Sequence, residues 1–528
     1  MGKIARYLNQ LIVGNVFDSP EILDKYSTDQ SVLVIKPKLV AVPESTEDIQ
    51  RLARFCYQLA TKEIELPITV RGSGLDETGA DLGNGLIIST EKINHLLELD
   101  KRERLVRVQA GITLKELNTA LSVNGLTIPI AGHEMETIGG LISNSPMDDF
   151  AGRYGGIANY VERIEAVLAD GNILQTSRLN SYAFKKKITE KSPSGRLYNK
   201  VVKLAKKQKG LIDEMPKTSL DRAGYATIAK VMHKNSVDLM PLFLGAQGTL
   251  GIITEVILRA VPIPKRTKRV VATFDDFKMT KEFLEMVAAM KPRKLNLYDM
   301  RIVKVAEETG KKLGRIIGKL EKGFVVQVEF DSRTGSALRK IESIRKVLPK
   351  NAQLLTESAK NTVELDELDN SLTSFLNQTR RGERMPLAVD FTVPATNLDK
   401  FIHDITVLEK SLDMELALYG SYLTNCYSLS PEFNTKEKDF AKKSVAFLRA
   451  SGFIIRRQDG RLAGGTPEGR VKALVTNADL SESEISLYTS IKDLFDKYKI
   501  MNPGVKLGAD SSFTIRHFRK SDADKAKS

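Results

Sequence analysis

"RGSGLDETGA" (71–80) stands between the apolar run "LPITV" (66–70) and "DLGNGLIIST" (81–90). A Rossmann turn needs G-x-G-x-x-G between a strand and a helix. Gly72 and Gly74 fit, but the third position is Glu77 and the next glycine is Gly79. The residues that follow lack helical periodicity and read as loop, then strand. The helix N-terminus that would hold a pyrophosphate is therefore missing. No Gly-Lys-Ser/Thr follows, which excludes a Walker loop. Two readings remain: a nest of backbone N–H groups that converge on an anion, with Arg71 adding charge, or a plain glycine turn.

Three more glycine-rich stretches follow: "TIGGLISNS" (137–145), "GRYGG" (152–156) and "GAQGTLGIIT" (245–254). Glycine is costly in ordered structure and is expected where backbone approaches a ligand closely. Several such sites in one domain point to a long ligand threaded past several backbones.

The 528 residues exceed one compact core and predict two or three domains. With 42% hydrophobic and 28% charged residues the chain reads as globular. No apolar run reaches about 18 residues, so no transmembrane helix is predicted; the opening residues show no secretory cleavage pattern. Two distant cysteines, Cys56 and Cys426, exclude a disulfide framework and fit a reducing, cytoplasmic setting. Five histidines leave little for histidine-rich metal chemistry. The net charge of +14 fits an anionic partner or a generally basic proteome.

"PESTEDIQRLARFCYQLATKE" (43–63) reads as a helix with Ser45 at its start and Cys56 on its core face. "GLIIST" and "RLVRVQAG" read as strands, "TLKELNTALSVNG" (113–125) as a helix with a Thr113–Glu116 capping box, and "RIEAVLADGNILQT" (163–176) as a hairpin turning at Asp170-Gly171. Pro262 and Pro264 mark a domain boundary. Beyond it, "RVVATF", "FVVQVEF" and "PLAVDFTVP" are predicted strands, and "MTKEFLEMVAAM" and "NLDKFIHDITVLEKSL" predicted helices. "SLYTSIKDLFDKYKIMNPG" (486–504) is a late helix ending in a turn, and "RHFRKSDADKAKS" reads as disordered.

The succession "RGSGLDETGA", "TIGGLISNS", "GRYGGIANYVERIEAVLADG", "LGAQGTLGIITEVILRAVPIP" and "LFDKYKIMNPGVKL" resembles the FAD-linked oxidases of the vanillyl-alcohol oxidase / p-cresol methylhydroxylase superfamily, in particular the D-lactate and glycolate dehydrogenase-like branch. The resemblance implies an α+β fold. A PCMH-type FAD-binding domain of two subdomains would span 1–264, with a basic insertion at about 181–236. An α+β cap (substrate) domain follows at 265–480, a segment returning to the FAD domain at 481–510 and a basic disordered tail at 511–528. It implies that Arg71, Gly72, Ser73, Gly74, Leu75 and Asp76 cradle the FAD pyrophosphate, with Gly79 close by. Thr137, Ile138, Gly139, Gly140 and Asn144, then Gly152, Tyr154 and Gly155, would line the cofactor. Gly251, Ile252, Ile253 and Asn502 would complete the contacts, and His133 falls near the flavin ring by motif position. The first loop has no histidine or cysteine, so non-covalent FAD is expected.

The implied function is oxidation of an anionic, 2-hydroxy-acid-like molecule by hydride transfer to flavin N5, with electrons passed to a quinone or another acceptor. Relatives of this branch carry G-H-x-G-D-G-N-x-H and G-E-H-G-x-G stretches that bind a metal and supply a base. The counterparts here, "GSYLTNCYS" (420–428) and "GGTPEGR" (464–470), contain no histidine. Without imidazole or metal, another base must take the hydroxyl proton. The candidates are Tyr419, Tyr422, Tyr427, Asp390 and Glu468. Alternatively the substrate is a sugar or alcohol, or the chain binds FAD without dehydrogenase activity. Arg456, Arg457, Arg461 and Arg470 could clamp a carboxylate or stay solvated. Tyr298 and Asn425 are further substrate candidates.

Residues 181–210 hold ten Lys/Arg against one Glu. "NKVVKLAKKQKG" can form a basic amphipathic helix that lies on anionic lipid at the inner membrane face, or a solvated charged helix. With 6% aromatics and no Trp there is no basic-aromatic interleaving, and nucleic acid is not an expected partner.

Overall fold

The structure, a computed structural model of the chain, describes residues 2–215, 223–318, 320–349, 352–371, 387, 389–431, 439–477 and 480–519. Three strands, Leu39–Val42, Leu86–Ser89 and Ile68–Arg71, run parallel, with Asn15–Phe17 antiparallel at one edge. The first two are buried along their whole length, so their residues do not alternate. Helix Thr46–Ala60 packs Ile49, Leu52, Ala53 and Cys56 against this sheet. Ser45 Oγ accepts the Asp48 N–H, while the Asp48 carboxylate accepts from the N–H groups of Val13, Gly14 and Glu44. Cys56 is wholly buried and its thiol is pushed up to about 12, which leaves it in the core rather than in chemistry.

A second, antiparallel sheet orders Leu96–Asp100, Leu105–Gln109, Ile252–Arg259, Val161–Val167 and Ile173–Gln175. The turn of its last hairpin uses Gly171 at φ 77°. Helix Leu114–Ser122 carries the expected capping box.

The basic stretch folds into this core. Helix Pro193–Lys207 buries Leu197, Tyr198, Val201, Val202 and Ala205 beside Leu487, Tyr488 and Ile491 of helix Glu482–Phe495. Its apolar face meets protein, so the expected insertion into lipid lacks the face it needs. Lys200, Lys203, Lys206 and Lys207 remain exposed.

The third sheet has seven antiparallel strands, ordered Gln353–Thr356, Thr267–Phe274, Phe324–Asp331, Lys294–Asp299, Leu416–Ser421, Cys426–Pro431 and Val389–Thr392. The chain then returns to the first sheet. Ile68 N–H donates to Ile500 O, and Asn502 N–H to Ile68 O, both at 2.7 Å. The tail departs from expectation over 511–519. Ser511–Arg516 is helical, Phe518 is buried, and the N–H groups of Val34 and Arg519 bond His517 O and Val32 O. Phe513 and Phe518 supply an apolar anchor that the charge-based reading overlooked. Residues 520–528 lie outside the described residues.

Candidate active site

A cleft of about 380 Å³ runs between the glycine loops of the first domain and the cap sheet. Of the residues expected to hold cofactor, Gly72, Ser73, Gly74, Leu75, Asp76, His133, Thr137, Gly139, Gly140, Asn144, Gly251 and Ile253 line it. The N–H groups of Gly72, Ser73, Gly74 and Leu75 make no hydrogen bond among the described residues. Four consecutive unbonded donors beside a cleft suit an anion, as in a backbone nest. Gly74 sits at φ +74°, and a Cβ there would fall 2.3 Å from the Arg71 guanidinium. A Cβ at Gly140 would meet only Thr137 Oγ1, at 3.0 Å, and would otherwise stand in the cleft. The loop is fixed by Asp76, which accepts from Thr78 N–H, Ala80 N–H and Asn144 Nδ2. Gln247 Nε2 in turn donates to Asn144 Oδ1. Free donors, and Gly140 where a side chain would stand in the cleft, fit a bound dinucleotide.

The other expected cofactor residues stand behind this surface. Arg71 spends its guanidinium on the carbonyls of Tyr26 and Thr28 and on the Tyr26 ring, so it braces the loop from the rear. Gly79 faces Leu33. Ile138 and Ile252 are core residues. Gly152 packs on Leu423 of the cap, Gly155 on Asn159, and the Tyr154 ring lies under Arg333. Asn502 is buried beneath the loop, bonded to Ala80 O and Gln247 O. Of the lining residues, His133 sits at the exposed rim, with Nδ1 accepting the Met135 N–H.

The cap contributes Asp390, Tyr419, Gly420, Ser421, Cys426, Tyr427, Ser428, Gly465 and Thr466. Asp390 is held by Lys472 Nζ at 2.8 Å and by Thr466 Oγ1 at 2.8 Å. Lys472 also donates to Leu462 O and Thr466 O, so its donors are spent within the protein. Among the described residues Ser421 Oγ and Tyr427 Oη are buried without a partner, and burial raises the Tyr427 phenol. Tyr419 Oη donates to Asp149 Oδ1 at 3.0 Å and accepts from Asn296 Nδ2 at 3.1 Å. Lys294 Nζ lies 3.1 Å from Asp149 Oδ2.

Several chemical candidates lie away from the cleft. Glu468 is wholly buried, paired with Lys506 Nζ at 2.5 Å and accepting the Gly224 N–H, which makes it a joint between domains. Tyr422 packs in the cap core, and Asn425 occupies a turn at φ 55°. Tyr298 Oη donates to Gln327 inside the cap. Arg456, Arg457 and Arg461 are exposed elsewhere, Arg457 paired with Asp404. Arg470 is buried against Leu82 O, Pro503 O and Asn502, with its guanidinium lowered to about 10 by burial.

Glu136, Asp148 and Asp149 line the cleft outside the quoted motifs, and Gln247 lines it from within the 245–254 run without having been singled out. Burial pushes Glu136 and Asp148 up to about 7, and among the described residues each has one carboxyl oxygen without a partner. The one sequence signal was the adjacent pair in "SPMDDF", two carboxylates amid glycine loops.

The family profile described as FAD binding domain matches residues 37–177, and that for FAD linked oxidases, C-terminal domain, matches 263–505. The chain is 26% identical over 485 residues to glycolate oxidase subunit GlcD of Bacillus subtilis, covering 90% of each. It is 22% identical to a D-lactate dehydrogenase of Anaerostipes hadrus, covering 92% of this chain and 93% of that one. It is 24% identical to a D-2-hydroxyglutarate dehydrogenase of Pantoea ananatis, covering 90% of this chain but 48% of that longer protein. Among solved structures it superposes on 4-ethylphenol oxidase from Gulosibacter chungangensis with a TM-score of 0.66 at 15% identity, covering 93% and 94% of the two chains. Alkyldihydroxyacetonephosphate synthase gives 0.63 at 15% identity, covering 94% and 84%. Fold and cleft thus define a two-domain flavin-binding oxidoreductase. The chain belongs to the FAD-linked oxidases and carries their FAD-binding domain.

Proposed function

We propose that the chain oxidises a small 2-hydroxy acid, with FAD held non-covalently between the nest and the cap. The observation that carries this is the joining, in one cleft, of four free backbone donors at 72–75 with the unpartnered hydroxyls of Ser421 and Tyr427. Asp76, Thr137, Gly139, Gly140 and Asn144 would hold the cofactor with the nest. Bound FAD supplies two-electron chemistry, taking a hydride from the substrate carbon. Ser421, Tyr427 and Ser428 would hold the substrate's oxygens, and the cap sheet would keep water from the reacting carbon. Electrons then pass to a quinone or another acceptor. The exposed lysines of helix Pro193–Lys207 offer anionic lipid an electrostatic contact only; failure to float with phosphatidylserine vesicles at low salt removes that contact.

No Lys or Arg lines the cleft among the described residues. That favours, as a second reading, a neutral alcohol or sugar. Both are tested by adding D-lactate, glycolate, D-2-hydroxyglutarate and neutral alcohols to the purified flavoprotein without oxygen. Bleaching of the flavin by a hydroxy acid is expected. Bleaching by neutral alcohols alone overturns the first reading in favour of the second.

A further inference from the structure

The family resemblance implies a metal held by histidines, and the donor set here does not fit one. The histidine positions of the two motifs fall on Ser421, Ser428 and Thr466, all lining the cleft. Their hydroxyls are neutral near pH 7, and soft or borderline metals call for imidazole or thiolate. Thr466 Oγ1 is already bonded to Asp390, whose charge Lys472 matches. Among the described residues, the acidic and histidine side chains that converge at metal-binding distance are Asp29, Asp76 and Asp81, all in the first domain. No cap residue belongs to that group.

The substrate's hydroxyl proton therefore needs an acceptor made of protein. Three of the tyrosine and carboxylate candidates line the cleft. Asp390 already accepts from Lys472 Nζ and Thr466 Oγ1, and among the described residues Tyr427 has no partner to pass a proton to. Tyr419 alone of the three donates to a carboxylate, Asp149, which also lines the cleft. A phenol oxygen that donates one bond and accepts one retains a lone pair for a substrate hydroxyl. Lys294 and Asn296 fix Asp149 from behind, Asp369 pairs with Lys294 at 2.6 Å, and the Tyr298 ring packs on Tyr419 at 5.0 Å. Burial and the Asp149 charge hold the Tyr419 phenol well above its usual range, so it stays protonated and acts as a relay rather than as a standing phenolate.

We propose that this chain oxidises its substrate without a metal ion, the hydroxyl proton leaving through Tyr419 to Asp149. The step rests on the reading above that the chain oxidises a CH–OH group. The substrate O–H bond breaks as its proton moves to Tyr419 Oη, and Tyr419's own proton moves to Asp149. The C–H pair leaves as a hydride, for which flavin is the oxidant, and a carbonyl forms. Asp149 ends protonated and is later deprotonated by solvent.

Two measurements test this on the holoenzyme. Elemental analysis after incubation with zinc or manganese and gel filtration is expected to find no stoichiometric metal, and EDTA to leave the bleaching rate unchanged. Stoichiometric retention of either metal, or loss with EDTA reversed by metal, overturns the metal-free step. Tyr419→Phe is expected to slow anaerobic bleaching about 100-fold or more and to abolish its solvent isotope effect. Flavin content and the affinity for the unreactive keto-acid product, read as a flavin spectral shift, stay unchanged. Asp149→Asn should behave alike, whereas Tyr427→Phe should weaken substrate binding and keep the isotope effect. A Tyr419→Phe rate within about threefold of wild type, below any general-base contribution, overturns the relay. If only neutral alcohols bleach the wild type, the hydroxy-acid reading falls and the relay is judged on them. Bleaching by neither class removes both.

Discussion

The two ends of the cleft are built from different material. At the first-domain end the facing surface includes main chain, the N–H groups of 72–75 and the backbone of Gly139, Gly140 and Gly251, beside side chains such as Asp76, Thr137 and Asn144. At the cap end it is mostly side chain, Tyr419, Ser421, Tyr427, Ser428 and Thr466 among them. Main chain can be exposed only where glycine or a tight turn permits it, so that end is constrained by backbone geometry. The cap end can exchange its chemistry one residue at a time on an unchanged sheet, which is how histidine positions can become hydroxyls without loss of fold.

Breaking the main-chain end should have the largest effect. Gly140→Val places a branched side chain in the cleft, and the purified protein should be colourless with its fold intact by circular dichroism. Ser421→Ala, at the other end, should keep its flavin and lose substrate affinity. If both variants keep flavin, or both lose it, the division is wrong.

The joint between the ends comes next. Lys506→Met leaves Glu468 buried and unpaired and should cost about 3–5 kcal/mol, read by denaturant melts. A loss below about 1 kcal/mol, the range of exposed pairs, would mean the pair is solvated.

A further expected effect is pH-dependent. Glu136 and Asp148 sit at about 7 in the fold, against an ordinary carboxyl near 4 when unfolded. Between about pH 4 and pH 7 the folded state keeps protons that the unfolded state has lost. Their contribution is therefore full at low pH and disappears as pH rises through 7. The melting temperature should fall over that window, and Glu136→Gln with Asp148→Asn should flatten the fall. An unchanged slope in the double variant would show that neither carboxyl titrates there.

The same contrast explains what could be read in the sequence. Glycines at 72, 74, 139 and 140 pointed to close backbone approach, because few other causes place glycine so densely. The motif could not say which neighbours face inward: Arg71, Ile138, Ile252 and Asn502 belong to the same runs yet turn to carbonyls, core or the underside of the loop. Gly152 was marked by its motif too, and there the close approach is to Leu423 of the cap rather than to a ligand. Asp148 and Asp149 reach the cleft through tertiary folding, marked only by their adjacency, and Gln247 lies in the glycine-rich run 245–254, which does not say that its side chain faces inward. The basic helix was legible as amphipathic, but what its apolar face would meet was not, since a core and a lipid surface attract the same residues. In the cap, the absent histidines were legible and their replacement was not, because the Tyr419–Asp149 contact joins residues from different domains.

On the proposed function, backbone donors and no covalent bond hold the flavin. Acid precipitation of the purified protein tests this directly. One FAD per chain released into the supernatant is the expected result. A colourless protein that takes up no FAD, or flavin retained in the pellet through His133 or Cys426 at the cleft, would contradict it.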